Sequence, residues 1–188
     1  MPEREETDDA QLIAAAKAGS RQAFDRLVSR HAPRLLVLAN RMLASEADAE
    51  DAVQNAMASA WLALGRFDLS RNVAPWLTTI TINKCRDHLR RQRLKSLLRI
   101  DSADAVQVLA DDAPGPEQEA IDRQLLAEVR KQIARLPIRL KEPFVLVALD
   151  GWSQAEAAEL LAISEKAVET RIYRARKRLR EKARYSEG

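Results

Sequence analysis

One cysteine, two histidines, five glycines and an aromatic content of 4% set the first limits on this chain of 188 residues. The lone cysteine, Cys85, excludes an internal disulfide. His31 and His88 are too far apart in sequence to supply ligand spacing, so no metal site is expected. So few glycines disfavour a turn-rich β fold and leave no loop that would cradle a phosphate. No nucleophile–base pair appears either, so the reading is non-enzymatic, with no catalytic residue and no cofactor. Nowhere do eighteen apolar residues run together, so no membrane insertion is expected. The N-terminus, MPEREETDDA, lacks the basic and apolar segments of a secretory signal, which points to a cytoplasmic protein.

What the chain does hold is aliphatic and unevenly charged. Hydrophobic residues make up 46%, mostly Leu, Ile, Val and Ala, which suits an all-α fold. The net charge of +3 conceals two basic segments, Lys84 to Arg99 and Lys166 to Arg184. Between them, residues 101–119 carry Asp101, Asp104, Asp111, Asp112, Glu117 and Glu119 with no Lys or Arg. One basic patch alone reads equally well as a solvated helix face. Two, separated by an acidic joint, suggest two polyanion contacts in two domains.

Residues 9–43 have helical periodicity, broken at Gly19-Ser20, and Pro33 marks the start of a further helix. Ser45 and Asp48 are spaced as a cap pair for the next, which is expected to bury Val53, Met57, Ala60, Trp61 and Leu64 and to end near Gly65. FDLSRNVAP, residues 67–75, reads as a loop. WLTTITINKCRDHLRRQRL poses a conflict. Its β-branched TTITI favours a strand locally, yet Thr78, Ile82, Cys85 and Leu89 form one helical stripe. Trp76, Ile80, Asn83 and Asp87 form a second, so the segment is read as helix, with Cys85 a packed thiol and Trp76 a core residue.

Pro114-Gly115-Pro116 stops any helix and sets the boundary. Two small helical domains are therefore expected, 9–95 and 118–184, joined by a flexible acidic linker at 96–117. The second opens with a helix from about Glu117 to Leu136 and continues in LKEPFVLVALDG, where Pro143 is tolerable only near the first turn and Gly151 closes the helix. Ser153 and Glu156 form a capping box for a short helix through Leu161. Ala162-Ile163-Ser164 is a tight turn, and Ser164 caps the basic helix AVETRIYRARKRLREKARY.

This is a helix-turn-helix pattern. With Val168, Ile172, Ala175 and Leu179 buried, the opposite face carries Lys166, Thr170, Tyr173 and Lys177, with Arg174 beside it. Arg171 and Arg178 flank one side, Glu169 and Arg176 the other. Such a helix enters the major groove and reads about three or four bases, each worth about 1–3 kcal/mol. That is too little to find one site in a genome, so a second reader or a larger machine is required.

DAEDAVQNAMASAW and WLTTITINKCRDHLRR, followed by LPIRLKEPF and LDGWSQAEAAELLAISEKAVETRIYRARKRLRE, resemble regions 2 and 4 of the bacterial sigma factors. The likeness is to the small extracytoplasmic-function group (group IV) and covers residues 10–182. It implies a non-enzymatic subunit that binds core RNA polymerase, its β′ clamp helices and β subunit, and directs initiation at promoter DNA, commonly restrained by an anti-sigma factor in a stress response. Asp48, Asp51, Gln54 and Asn55 would dock on the clamp helices, although Asn55 stands where the family often has an acid. Asp68, Leu69, Ser70, Arg71, Asn72 and Val73 would form the pocket for a flipped base of the minus-ten element, with Asn83, Lys84 and Arg86 on the strand's backbone. Ser153, Lys166, Thr170, Arg171, Tyr173, Arg174, Arg176 and Lys177 would contact the minus-thirty-five element. Two alternatives stay open: a stand-alone dimeric helix-turn-helix regulator, which leaves the 48–55 surface unexplained, and a sigma mimic that sequesters an anti-sigma factor, which the basic helix argues against.

Overall fold

A computed structural model of the chain describes residues 2–98 and 127–186, with side chains for 8–97 and 127–182. Among these residues all regular structure is helical. The first domain comprises α1 (Pro2–Lys17), α2 (Arg21–Leu43), α3 (Glu46–Ala63) and α4 (Val73–Leu98). The second comprises α5 (127–134), α6 (Ile138–Phe144), α7 (Gln154–Leu161) and α8 (Glu165–Ser186). Most of the expected linker, 99–117, and the start of the helix after it lie outside the described residues. Residues 96–98, expected in the linker, still belong to α4.

Local chemistry accounts for the boundaries. Gly19, at φ +102°, turns the chain out of α1, and Ser20 accepts a hydrogen bond from Ala23 N at 3.2 Å to cap α2. Ser45 accepts from Asp48 N at 3.3 Å to cap α3. In α4 the conflict over TTITI resolves as helix. Thr79 and Thr81 donate to the carbonyls of Pro75 and Leu77, at 3.0 and 2.9 Å, so their hydroxyls are satisfied inside the helix. Thr78, Ile82 and Cys85 are buried along the expected stripe.

Three expectations are corrected. Pro33 starts no helix; it lies inside a continuous α2. Pro33 and Ser29, whose carbonyl the ring deprives of a partner, both face solvent, where water can accept the loss. Trp61 is not core: it is 38% exposed and meets Phe24 edge-on at 5.0 Å. Pro143 is not in the first turn but late in α6, and the chain continues as a π-turn, Val145–Leu149, closed by Asp150 N to Val145 O at 2.9 Å. Two further boundaries move. α4 begins at Val73, so the loop before it is shorter than expected, and α6 begins at Ile138 rather than Leu140.

The two halves pack together, their buried apolar residues joining in one hydrophobic cluster, and a set of polar contacts runs along the seam. Lys141, buried, donates from Nζ to the carbonyl of Met42 at 2.8 Å. That carbonyl belongs to the last turn of α2, whose oxygens have no partner inside the helix and carry its negative dipole end. Arg86 forks onto both carboxylate oxygens of Glu142, the Nη2–Oε2 bond being 3.0 Å. Arg41 donates to the carbonyl of Leu149 at 2.7 Å, and Arg34 reaches Asp150 at 3.2 Å while lying 4.6 Å over the Trp152 ring. The π-turn after Pro143 delivers Leu149 and Asp150 to these arginines.

Candidate nucleic-acid interface

Three surfaces carry the residues singled out in the sequence. The first is the outer face of α3. Ala49, Ala52, Val53, Ala56, Met57 and Ala60 turn inward. Asp51, Gln54 and Asn55 are therefore exposed together, and Asn55 Nδ2 donates to the carbonyl of Asp51 at 2.7 Å. Asp48 stands apart. It is half-buried, accepts from Gln92 Nε2 at 3.3 Å and lies 3.4 Å from His88 Nε2, so it ties α3 to α4. One residue of this face was missed from the sequence. Leu62 is 85% exposed and continues the line of Asp51, Asn55 and Ala58 along the helix. The signal for it was a large apolar residue out of phase with the buried stripe.

The second surface is the loop before α4 and the helix behind it. Phe67 is buried and its ring meets half-buried Trp76 at 4.6 Å, which pins the loop to the core. Lys17 Nζ donates to the Phe67 carbonyl at 2.8 Å. Beyond it, Asp68 accepts from Ser70 N at 3.0 Å and from Ser70 Oγ at 2.8 Å. These hydrogen bonds, the backbone one first, hold the Asp68 carboxyl below its ordinary range and fix a tight Asx-type turn. Asp68, Leu69, Ser70, Arg71 and Asn72 are presented outward. Val73 is 4% exposed, so its side chain supports the loop from the core and is not offered to a ligand. On α4, Asn83 is exposed, Lys84 is half-buried, and Arg86 is engaged by Glu142 and by Asn83 Oδ1 at 3.0 Å.

The third surface is the helix-turn-helix. Ser153 N donates to Glu156 Oε2 at 2.8 Å and Glu156 N donates to Ser153 Oγ at 3.2 Å, the reciprocal capping box read in the sequence. The Ser153 hydroxyl and amide together lower the Glu156 carboxyl below its usual value. Ala162, at φ +54°, turns the chain, and Ser164 accepts from Ala167 N at 3.2 Å to start α8. Val168, Ile172 and Ala175 are buried against α6 and α7, as the pattern required. Tyr173 is 63% exposed at the centre of the opposite face, and Lys166, Arg174, Arg176 and Lys177 are exposed around it. Thr170 donates to the Lys166 carbonyl at 2.8 Å and, like Arg171, is half-buried. Lys166 pairs with Glu169 at 2.7 Å.

This arrangement offers cations, amides, hydroxyls and a phenol on an exposed helix, and a pinned loop beside a basic helix. It suits binding to a polyanion, with phosphates met by flanking arginines and base edges by the central face. Among the described residues no cluster of His, Cys, Asp and Glu could hold a metal ion. No helix among them is long and apolar enough to cross a membrane.

Known proteins with this pattern bear on the reading. The Sigma-70 region 2 family matches residues 27–95, and the Sigma-70, region 4 family matches residues 126–179. The RNA polymerase sigma factor CnrH of Cupriavidus metallidurans is 40% identical over 178 residues, covering 92% of this chain and 93% of that one. The ECF RNA polymerase sigma factor SigM of Mycobacterium tuberculosis is 37% identical, over 94% of this chain and 85% of its own. The solved structure of CnrH in complex with the cytosolic domain of CnrY superposes with a TM-score of 0.67 at 32% identity, covering 95% of this chain and 98% of that one.

Proposed function

The chain belongs to the sigma-70 family of RNA polymerase sigma factors, in its extracytoplasmic-function branch, and from that premise we propose how its surfaces divide the work. The exposed face of α3, with Asp51, Gln54 and Asn55, docks on core polymerase at the β′ clamp helices, and Leu62 extends that contact. The β subunit completes the contact. The loop from Asp68 to Asn72 takes a flipped base of the minus-ten element, and Asn83, Lys84 and Arg86 hold the separated strand by its backbone. The outward face of α8 reads the minus-thirty-five element in the major groove. The chain has no chemistry of its own and works in the cytoplasm. An anti-sigma factor restrains it, in keeping with the CnrY-bound state of its relative.

The observation that carries this reading is the face of α8. A basic, polar helix face stands clear of its own domain, behind a capped first helix and a turn, on a chain whose other domain supplies a second basic surface. One helix cannot specify a promoter, but two readers held on one polymerase can. The test is transcription in vitro with core polymerase and this chain on a library of genomic promoters. Initiation at a restricted set sharing two separated elements supports the reading. Tight, palindrome-dependent binding by the chain without polymerase would replace it with a dimeric regulator.

A further inference from the structure

We propose that Glu142 is an internal stand-in for nucleic-acid phosphate on Arg86, so that the packed arrangement of the two domains and capture of a single strand by α4 exclude one another. This rests on the reading of α4 as the strand-binding helix.

Arg86 presents a planar fork of donors, and both Glu142 oxygens fill it. A phosphate would be met by the same fork in the same bidentate manner. The Glu142 side chain is only 6% exposed, so its carboxylate is held against the fork and fills it, while Arg86 stays 33% exposed at the edge of the seam. Asn83, the neighbouring strand contact, is drawn into the same group through its hydrogen bond to Arg86. The face of α8 is not treated this way: Tyr173 is 63% exposed, and Arg174, Arg176 and Lys177 are open. The closed form therefore silences one reader and leaves the other accessible.

The seam is also built to part. Apart from Lys141, its cations come from the first domain and its carboxylates from the second. Ion pairs of this kind weaken with salt, which loosens the polar part of the contact. Two promoter elements about two helical turns apart lie roughly 70 Å from each other, which packed domains cannot span. Opening is thus required for promoter recognition, and it uncovers Arg86 in the same step.

The experiment uses the full chain without polymerase, a fluorescent single-stranded oligodeoxynucleotide as probe, and small-angle scattering for the radius of gyration. Glu142→Gln should enlarge the radius, bind the oligonucleotide several-fold more tightly and steepen the salt slope by about 0.7, the value for one added phosphate contact on a single strand. Adding Arg86→Gln to Glu142→Gln should abolish the gain in affinity. The exchange Arg86→Glu with Glu142→Arg should restore the compact radius without restoring strand binding. Asp150→Asn loosens the far end of the seam and should enlarge the radius as well, so the outcome does not hang on one buried position. A radius and affinity both unchanged in Glu142→Gln and Asp150→Asn would overturn the proposal at the latch. An enlarged radius with no strand binding by any variant would overturn it at its premise, the role of α4. A gain in affinity that survives Arg86→Gln would overturn it by showing that removal of a negative charge, and not release of Arg86, was responsible.

Discussion

At the scale of single residues, two buried groups at the seam set opposite pH dependences. Burial lowers the Lys141 ammonium from 10.5 to about 8, with Arg93 adding to the effect. Burial raises the Cys85 thiol from 9.0 to about 12. A lowered lysine favours the folded state fully above 10.5, and that contribution is lost as pH falls through about 8. A raised thiol favours it fully below 9.0, and that is lost as pH rises toward about 12. Stability from these two groups should therefore climb from about pH 8 to 9, level off while one gain offsets one loss, and fall above about 10.5. Urea unfolding across that range checks it. Lys141→Met should remove the climb, and Cys85→Ala should turn the plateau into a continued rise. The reading face of α8 separates at the same scale. On the proposed reading Tyr173, exposed at the centre of that face, would reach base edges, and Arg176, on its flank, would lie nearer phosphates. Tyr173→Ala should cost about 1–3 kcal/mol and relax preference at one promoter position. Arg176→Ala should weaken every sequence alike and reduce the salt slope by about one. Titration of promoter variants with holoenzyme at several salt concentrations distinguishes the two; a uniform loss from both would refute the placement.

At the scale of elements, α3 is the part that one face should switch off. Asp51→Arg with Gln54→Ala alters only exposed side chains, so thermal unfolding should be within about 0.5 kcal/mol of wild type. Co-purification with core polymerase should nevertheless fall sharply, and recovery equal to wild type would remove α3 from the docking surface. The elements also show what was legible in the sequence. Caps at Ser45, Ser153 and Ser164 are short-range chemistry, and each lies where a helix begins; Ser20, read only as part of a break, caps α2 as well. The stripes of α4 and α8 follow from a period of 3.6 and held over long spans. The prolines misled. A ring that breaks a helix in isolation is accepted at Pro33 because Ser29, whose carbonyl it orphans, faces water, and at Pro143 because Arg139, four residues before it, is exposed in the same way. Each compensation lies within a turn of its proline but depends on which side of the helix faces water, which packing decides. Trp61 was misplaced for a related reason: its contact with Phe24 comes from α2, and periodicity on one helix cannot weigh what a neighbour leaves uncovered.

At the scale of the whole molecule, the least legible feature is the seam. Arg86 and Glu142 are 56 residues apart, and Lys141 lies 99 residues beyond Met42. Lys141 and Glu142 read in sequence as ordinary surface charges and Arg86 as a strand contact, and only packing gives them their partners. Lys141, in particular, completes a helix end made long before it in the chain. That order has a consequence in time. On the ribosome, residues through Leu98 emerge ahead of Asp150, and at about 5–20 residues per second the interval lasts about 3–10 s. During those seconds the Met42 carbonyl lacks its Lys141 partner, and Arg86 has no carboxylate from the second domain to hold it. If Glu142 guards Arg86 as proposed, the newborn first domain would be unguarded until the second arrives.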